Sequence, residues 1–295
     1  MKNKNKNHIV HTPVMAQEVI DVLKPQKGEN YLDLTAGYGG HASLILESTG
    51  ITHKSLLCDR DQEAIEYLND RFEGKVMLKK ATFYDACTEL IRENRQFDMI
   101  LADLGVSSPH LDKANRGFSI VNDGPLDMRM DQSQGISASE YLESVSEKEL
   151  ETVLRVYGEE PKARRIAAEI IQNRPFATTG ELAAMIKRVY GTHTKHHPAV
   201  RSFQAIRIAV NDELGLLEKM LPLAVNLLKP HGRLGIITFH SLEDRIVKQY
   251  FADRASWGFE SDIKLLTKKA LIPTPHEISF NPRARSAKLR AVVKK

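Results

Sequence analysis

The chain has 295 residues, 42% hydrophobic and 27% charged, which excludes overall disorder and allows one large domain or two modest ones. No apolar run approaches the roughly 20 residues of a membrane-spanning helix, and the opening MKNKNKNHIVHTPVM lacks the apolar stretch of a secretory signal. The net charge is only +4, and the two cysteines, Cys58 and Cys87, have no zinc-site spacing, which fits a reduced cytoplasmic setting.

The elements read in order as strands alternating with helices. Asn30–Thr35 forms a first strand running into the turn Gly37-Tyr38-Gly39-Gly40, with helical character over His41–Glu47. Ser55–Cys58 is a second strand ending at Asp59. Asp61–Phe72 is an amphipathic helix with Ala64, Ile65, Leu68 and Phe72 on one side. Val76–Leu78 and Phe97–Ala102 are the third and fourth strands. Such alternation implies right-handed crossovers and a parallel sheet. Gly105, Ser107, Ser108 and Pro109 make Leu104–Asp112 a loop rather than a strand or a good helix.

The period then changes. After GFSIVNDGPLDMRMD come roughly eighty residues of helical pattern. Helices are expected over Ser146–Tyr157, with Ser146 and Glu149 in capping-box spacing, over Pro161–Asn173, and over Thr179–Val189 capped by Thr178 or Thr179. A long helix over Asn211–Leu228 meets the stop Lys229-Pro230-His231-Gly232. Arg233–Phe239 is a fifth strand, and Asp262–Leu266 and Leu289–Val293 close the sheet. The domain division expected is 1–110 and 201–295 as two parts of one α/β core, with 111–200 as a helical insertion that recognises substrate.

The charge is unevenly spread. Asp262–Lys295 holds nine Lys/Arg against two Asp/Glu, and Pro161–Arg201 eight against two, whereas Asp112–Glu160 holds five against eleven. Lys2, Lys4 and Lys6 add a basic arm. Separate basic blocks suit a polyanion, although solvated helix faces explain many such runs. Asn281–Arg290, NPRARSAKLR, presents four cations that could grip phosphates.

Three segments carry chemistry. The glycine turn after the first strand lets backbone approach a ligand, and Asp59 ends the second strand where an acid bonds ribose hydroxyls. Together they indicate an adenosine-containing cofactor. The order G-Y-G-G-H lacks the G-x-G-x-x-G spacing of a dinucleotide site, which favours methyl transfer over hydride transfer. Asp103 ends the fourth strand, and with Ser107 and Ser108 it forms a candidate reaction loop. Such a loop could orient an exocyclic aromatic amine whose lone pair is delocalised into its ring. An ordinary turn capped by Asp103 is the plain alternative.

FHSLEDR at 239–245 follows the fifth strand, either facing the same crevice or capping a helix through Ser241, Glu243 and Asp244. His41, His110 and His240 read as hydrogen-bonded structural histidines. His193, His196 and His197 form a solvated loop, and no metal site is expected.

GYGGH at 37–41, CDRD at 58–61, DLGVSSP at 103–109, RGFS and DGPLDMRMD within 116–131, YGEE at 157–160, FQAIRIAVNDEL at 203–214 and FHSLEDRIVK at 239–248 together resemble the bacterial 16S rRNA (cytosine-N4)-methyltransferase family. The likeness runs from His11-Thr12-Pro13-Val14 to Asn281–Arg290. It implies a Rossmann-like seven-stranded methyltransferase core with an inserted all-α subdomain. It also implies S-adenosylmethionine as methyl donor, with S-adenosylhomocysteine as product, and a cytidine N4 amine in the decoding region of 16S rRNA as acceptor.

By that resemblance the cofactor contacts fall on Gly39, Gly40, His41, Asp59, Phe83, Asp103 and His110, and the catalytic residues are Asp103, Ser107 and Ser108. Phe83 would pack on the adenine, although its own pattern reads as core. The family's usual residue at position 110 is Gln, and an imidazole replaces one amide hydrogen bond but not both. The expected partner is 16S rRNA in the small ribosomal subunit, with no membrane, and the resemblance is compatible with a homodimer. Two rivals are an assembly factor that keeps the fold without transfer, and a methyltransferase acting on a small molecule or protein.

Overall fold

The computed structural model describes residues 13–50, 53–191, 197–256 and 258–295. Lys2, Lys4, Lys6, His11, Thr12, His193 and His196 lie outside them. Among the described residues no helix is long and apolar enough to cross a membrane.

The chain divides into two compact units. The first comprises the chain through Asp59, Glu63–Leu104 and Met220–Lys295, and the second Arg60–Gln62 and Gly105–Lys219. The boundaries expected after residues 110 and 200 both fall inside the second unit. Leu111 packs against that unit's core, and Phe203, Ala205 and Ile206 of the helix Val200–Asn211 are part of it.

The first unit is α/β. Its strands are β1 (Tyr31–Asp33), β2 (Leu56–Asp59), β3 (Met77–Lys80), β4 (Phe97–Asp103), β5 (Leu228–Thr238), β6 (Ile263–Leu265) and β7 (Lys288–Lys294). They form one seven-stranded sheet in the order β3-β2-β1-β4-β5-β7-β6. Only β7 runs against its neighbours β5 and β6. The chain winds outward from β1 to β3, then returns to place β4 on the other side of β1, so the winding reverses between β1 and β4. Ligands of open α/β sheets bind beyond the strand ends at such a reversal.

The central strands are apolar on both faces, as a sheet covered by helices requires. Met99, Ile100, Leu101 and Ala102 of β4 are fully buried. Leu57, Met99, Leu101 and Ile237 share one core cluster with Ala42, Ile45 and Leu46 of the helix Gly40–Thr49 and Leu68 of the helix Gln62–Phe72.

Two expectations change here. The Lys229-Pro230-His231-Gly232 stop lies inside β5, not ahead of it, where the pairing with β4 shifts register between Phe97 and Met99. Proline is tolerated at such an irregularity because the missing N–H leaves no regular ladder bond open. The helix expected over Asn211–Leu228 is shorter, spanning Glu213–Asn226, and Asp212 at φ 47° separates it from Val200–Asn211.

The second unit is helical. Capping boxes start Ala138–Ser144 at Ser137, Glu147–Gly158 at Ser146, and Thr179–Tyr190 at Thr178. Each cap satisfies two amides that a helix start leaves open. The unit has its own core, including Leu150, Leu154, Ile166, Ile170, Leu182 and Ile186. The segment Leu104–Asp112 is not wholly a loop: Ser108–Asp112 is a single helical turn with Pro109 in its first turn, where a missing N–H costs nothing.

Candidate active site

In the first unit, the ends of β1, β2 and β4 are tied by hydrogen bonds. Leu34 N–H donates to the Leu101 carbonyl, Ala36 N–H to the Cys58 carbonyl, and Asp103 N–H to Thr35 Oγ1 at 2.6 Å. Gly37 N–H donates to Asp59 Oδ2 at 2.8 Å, so Asp59 braces the glycine turn.

Gly39 must be glycine on two counts. Its φ is +75°, and an added Cβ would lie 2.9 Å from Leu68 Cδ2 and 3.2 Å from Phe72 Cε2. As N-cap of Gly40–Thr49 it offers no side chain, so no side-chain cap covers the first amides of that ten-residue helix. Those amides can receive a carboxylate.

The acids at the strand ends differ in environment. Asp33 is buried beneath the turn; burial pushes its carboxyl up to about 6, against hydrogen bonds and charge that favour the anion. The Tyr31 hydroxyl donates to it at 2.7 Å and Thr35 N–H at 3.2 Å, and His41 favours the anion while Asp103 opposes it. Tyr31 is itself pushed well above the usual phenol range, first by burial and then by Asp33.

Among the described residues Asp103 Oδ1 is buried with no hydrogen-bond partner, and so are both ring nitrogens of His41, a residue only 6% exposed. His41 Nε2 lies 3.6 Å from Asp103 Oδ2, too far for a hydrogen bond. An unsatisfied buried polar atom costs about 1–3 kcal/mol. Several beside one glycine turn are the mark of a place built for a ligand. Phe83, half-buried, opens the helix Phe83–Arg92 just past β3, whose Lys80 is the register partner of Asp59.

The remaining expected residues lie in the second unit. Ser107 precedes the turn Ser108–Asp112, and Ser108 opens it half-buried. His110 is buried, with Nδ1 facing Ser107 N–H at 3.3 Å and Ser107 Oγ at 3.1 Å, and Nε2 at 2.8 Å from Asp61 Oδ2. Arg116, 2% exposed, donates to the same oxygen at 2.7 Å and to the Met130 carbonyl at 2.9 Å. Burial alone would raise the Asp61 carboxyl, but hydrogen bonds from His110 and Arg116 hold it down to about 2.

FHSLEDR does cap a helix, though through His240 rather than Ser241. His240 Nδ1 accepts from Glu243 N–H, and Glu243 Oε2 accepts from Phe239 N–H and His240 N–H. Asp244 receives Lys288 Nζ at 2.9 Å and Arg290 Nε at 2.6 Å, so two of the four NPRARSAKLR cations hold β7 to this helix.

Sequence reasoning passed over three residues. Tyr31 reads as strand, Asp61 as a helix start, and Arg116 as one charge in a loop. Nothing local marks the Asp33 environment, since that acid lies inside the stretch read as the first strand.

A doubly wound sheet with a glycine turn at the reversal, acids ending β1, β2 and β4, and unfilled polar atoms between them is the constellation of a nucleotide-cofactor α/β enzyme. The sequence matches the MraW methylase family over residues 8–295. It is 46% identical over 287 residues to the ribosomal RNA small subunit methyltransferase H of Synechocystis sp., covering 95% of this chain and 92% of that one. It is 45% identical over 305 residues to the protein of the same name in Syntrophotalea carbinolica, covering 96% and 97%. An rRNA methylase structure from Streptococcus thermophilus aligns over 94% of each chain at 10% identity and a TM-score of 0.43. The chain belongs to the MraW methylase family, whose cofactor is S-adenosylmethionine.

That cofactor suits the residues present. Its carboxylate matches the uncapped amides of Gly40–Thr49, and its ammonium and sulfonium match a cluster of carboxylates.

Proposed function

We propose that the protein transfers a methyl group from S-adenosylmethionine to the exocyclic N4 amine of a cytidine in the decoding region of 16S rRNA, acting in the cytoplasm on the small ribosomal subunit. The names of its relatives support the rRNA substrate. The observation that carries the chemistry is Asp103: its backbone is pinned by Thr35 at the end of β4, while Oδ1 is buried beside the glycine turn with no hydrogen-bond partner among the described residues.

When bound, the cofactor supplies an electrophilic methyl on sulfur. Gly39, Gly40, His41, Asp59 and Phe83 hold it in this reading, with Asp59 on the ribose and Phe83 on the adenine. In this reading Asp103, Ser107 and Ser108 would accept N–H bonds from the amine and so orient its lone pair for transfer. Alignment of this kind supplies much of a transfer rate, and acceptors near a developing ammonium favour the transition state. The methylated amine is acidic enough to lose its proton to solvent, so no dedicated base is required.

The direct test incubates the protein with labelled S-adenosylmethionine and unmethylated small subunits, then digests the RNA to nucleosides. Label in N4-methylated cytidine is the expected result; its absence sinks the proposal. Asp103→Ala should abolish the signal, and near-normal turnover would remove that residue from the reaction.

A further inference from the structure

Within the second unit a chain of polar contacts runs from the Met130 carbonyl through Arg116 and Asp61 to His110 and Ser107. His110 is 5% exposed, and its ring lies 5.0 Å from that of Phe118. The hydrogen-bond pattern assigns its tautomer. A backbone N–H can only donate, so Ser107 N–H requires Nδ1 to be bare, and the proton then sits on Nε2, directed at Asp61. One neutral imidazole thus uses both nitrogens inside the protein, one on a buried ion pair and one on the residue that opens the Ser107–Ser108 turn.

We infer that His110 is a positioning residue for methyl transfer, clamping the Ser107–Ser108 turn to the buried Asp61–Arg116 pair instead of contacting the cofactor. The inference deepens the function proposed above and rests on its assignment of Ser107 and Ser108 to the acceptor amine. A five-residue helical turn has too few internal bonds to hold itself, so its order comes from such anchors. Ser107 Oγ and N–H are both drawn to Nδ1, which fixes the peptide entering the turn.

The variants His110→Ala, His110→Gln and His110→Asn separate the clamp from a cofactor contact. Either amide can place its oxygen where Nδ1 accepts from Ser107 N–H, Gln as an ordinary capping-box side chain, but neither can at the same time span to Asp61 as the imidazole does. The full chain is used throughout. Calorimetry gives S-adenosylhomocysteine affinity without acceptor, amide exchange reports on residues 105–112, and steady-state kinetics on unmethylated small subunits gives kcat and KM.

The expected result is unchanged S-adenosylhomocysteine affinity in all three variants. His110→Ala should exchange faster over 105–112 and lose about tenfold or more in kcat, with KM for S-adenosylmethionine unmoved. His110→Asn and His110→Gln, each able to keep the bond to Ser107 N–H but not both contacts, should recover part of both losses. Affinity that falls in step with kcat would make His110 a cofactor contact, and unaltered exchange in His110→Ala would remove the clamp; either overturns the inference. A wild-type chain that transfers nothing to rRNA would refute the functional reading alone, because the exchange and affinity measurements judge the clamp without it.

Discussion

At the scale of single residues, Asp33 and Asp61 show how the same carboxyl is tuned in opposite directions. Burial pushes Asp33 up to about 6, and hydrogen bonds from His110 and Arg116 bring Asp61 down to about 2 despite its own burial. For Asp33 the folded value lies above the unfolded one, so the native state holds a proton that the unfolded chain releases. Its contribution to stability is complete below about pH 4 and is lost as pH rises through about 6, an amount of about 3 kcal/mol at 1.36 kcal/mol per pH unit. Urea midpoints of the wild type and Asp33→Asn between pH 3.5 and 7.5 test this. The wild type should lose that increment relative to the variant across the window, and parallel curves would show that Asp33 keeps an ordinary carboxyl. Asp61 carries the reverse dependence: its stabilisation is present above about pH 4 and fades as the pH falls toward 2.

At the scale of elements, the segment after Arg116 is shaped by close backbone approach more than by hydrophobic pattern. A Cβ on Gly124 would sit 2.0 Å from the Ala114 carbonyl oxygen and 2.6 Å from its carbon. Gly124→Ala therefore forces two backbone segments apart, at a cost of about 1–3 kcal/mol or more. Thermal unfolding should show a Tm several degrees lower; an unchanged Tm would mean the segment yields freely. This is also where the sequence is hardest to read, because a glycine needed for a backbone neighbour ten residues earlier looks like any other loop glycine. The regular helices are the opposite case. Ser146 and Glu149 announce a helix start at their own spacing, and the structure begins that helix at Glu147. Thr178 caps Thr179–Tyr190 for the same local reason.

Across the whole molecule, the strand alternation and the glycine turn were legible because a parallel sheet writes its apolar runs and end acids in a fixed order. What was not legible is long-range. The Asp61–His110–Arg116 group gathers residues up to 55 positions apart, and no local pattern marks Asp61 as anything but a helix start. Of the basic blocks, Lys288 and Arg290 hold β7, while Arg164, Arg165, Lys187, Arg188 and Arg201 are exposed on the helical unit. If those five meet rRNA phosphates, affinity for small-subunit rRNA should fall on the order of a few hundredfold between 50 and 200 mM salt. Binding of S-adenosylhomocysteine should barely change. A salt-insensitive RNA affinity, read by filter binding, would exclude this surface.

The placement of β4 beside β5 reaches beyond the finished protein, to its synthesis. Asp103 pairs with Ile237, yet the helical unit is translated between those two strands. At about 5–20 residues per second a ribosome needs on the order of ten seconds to cross that interval. Throughout it the nascent chain carries β4 with an open edge, a strand of buried apolar residues awaiting its neighbour. The inserted helices, rich in local caps, can fold first while the sheet waits. A chain of this layout thus leaves one edge of its own central strand unpaired until β5 has been made.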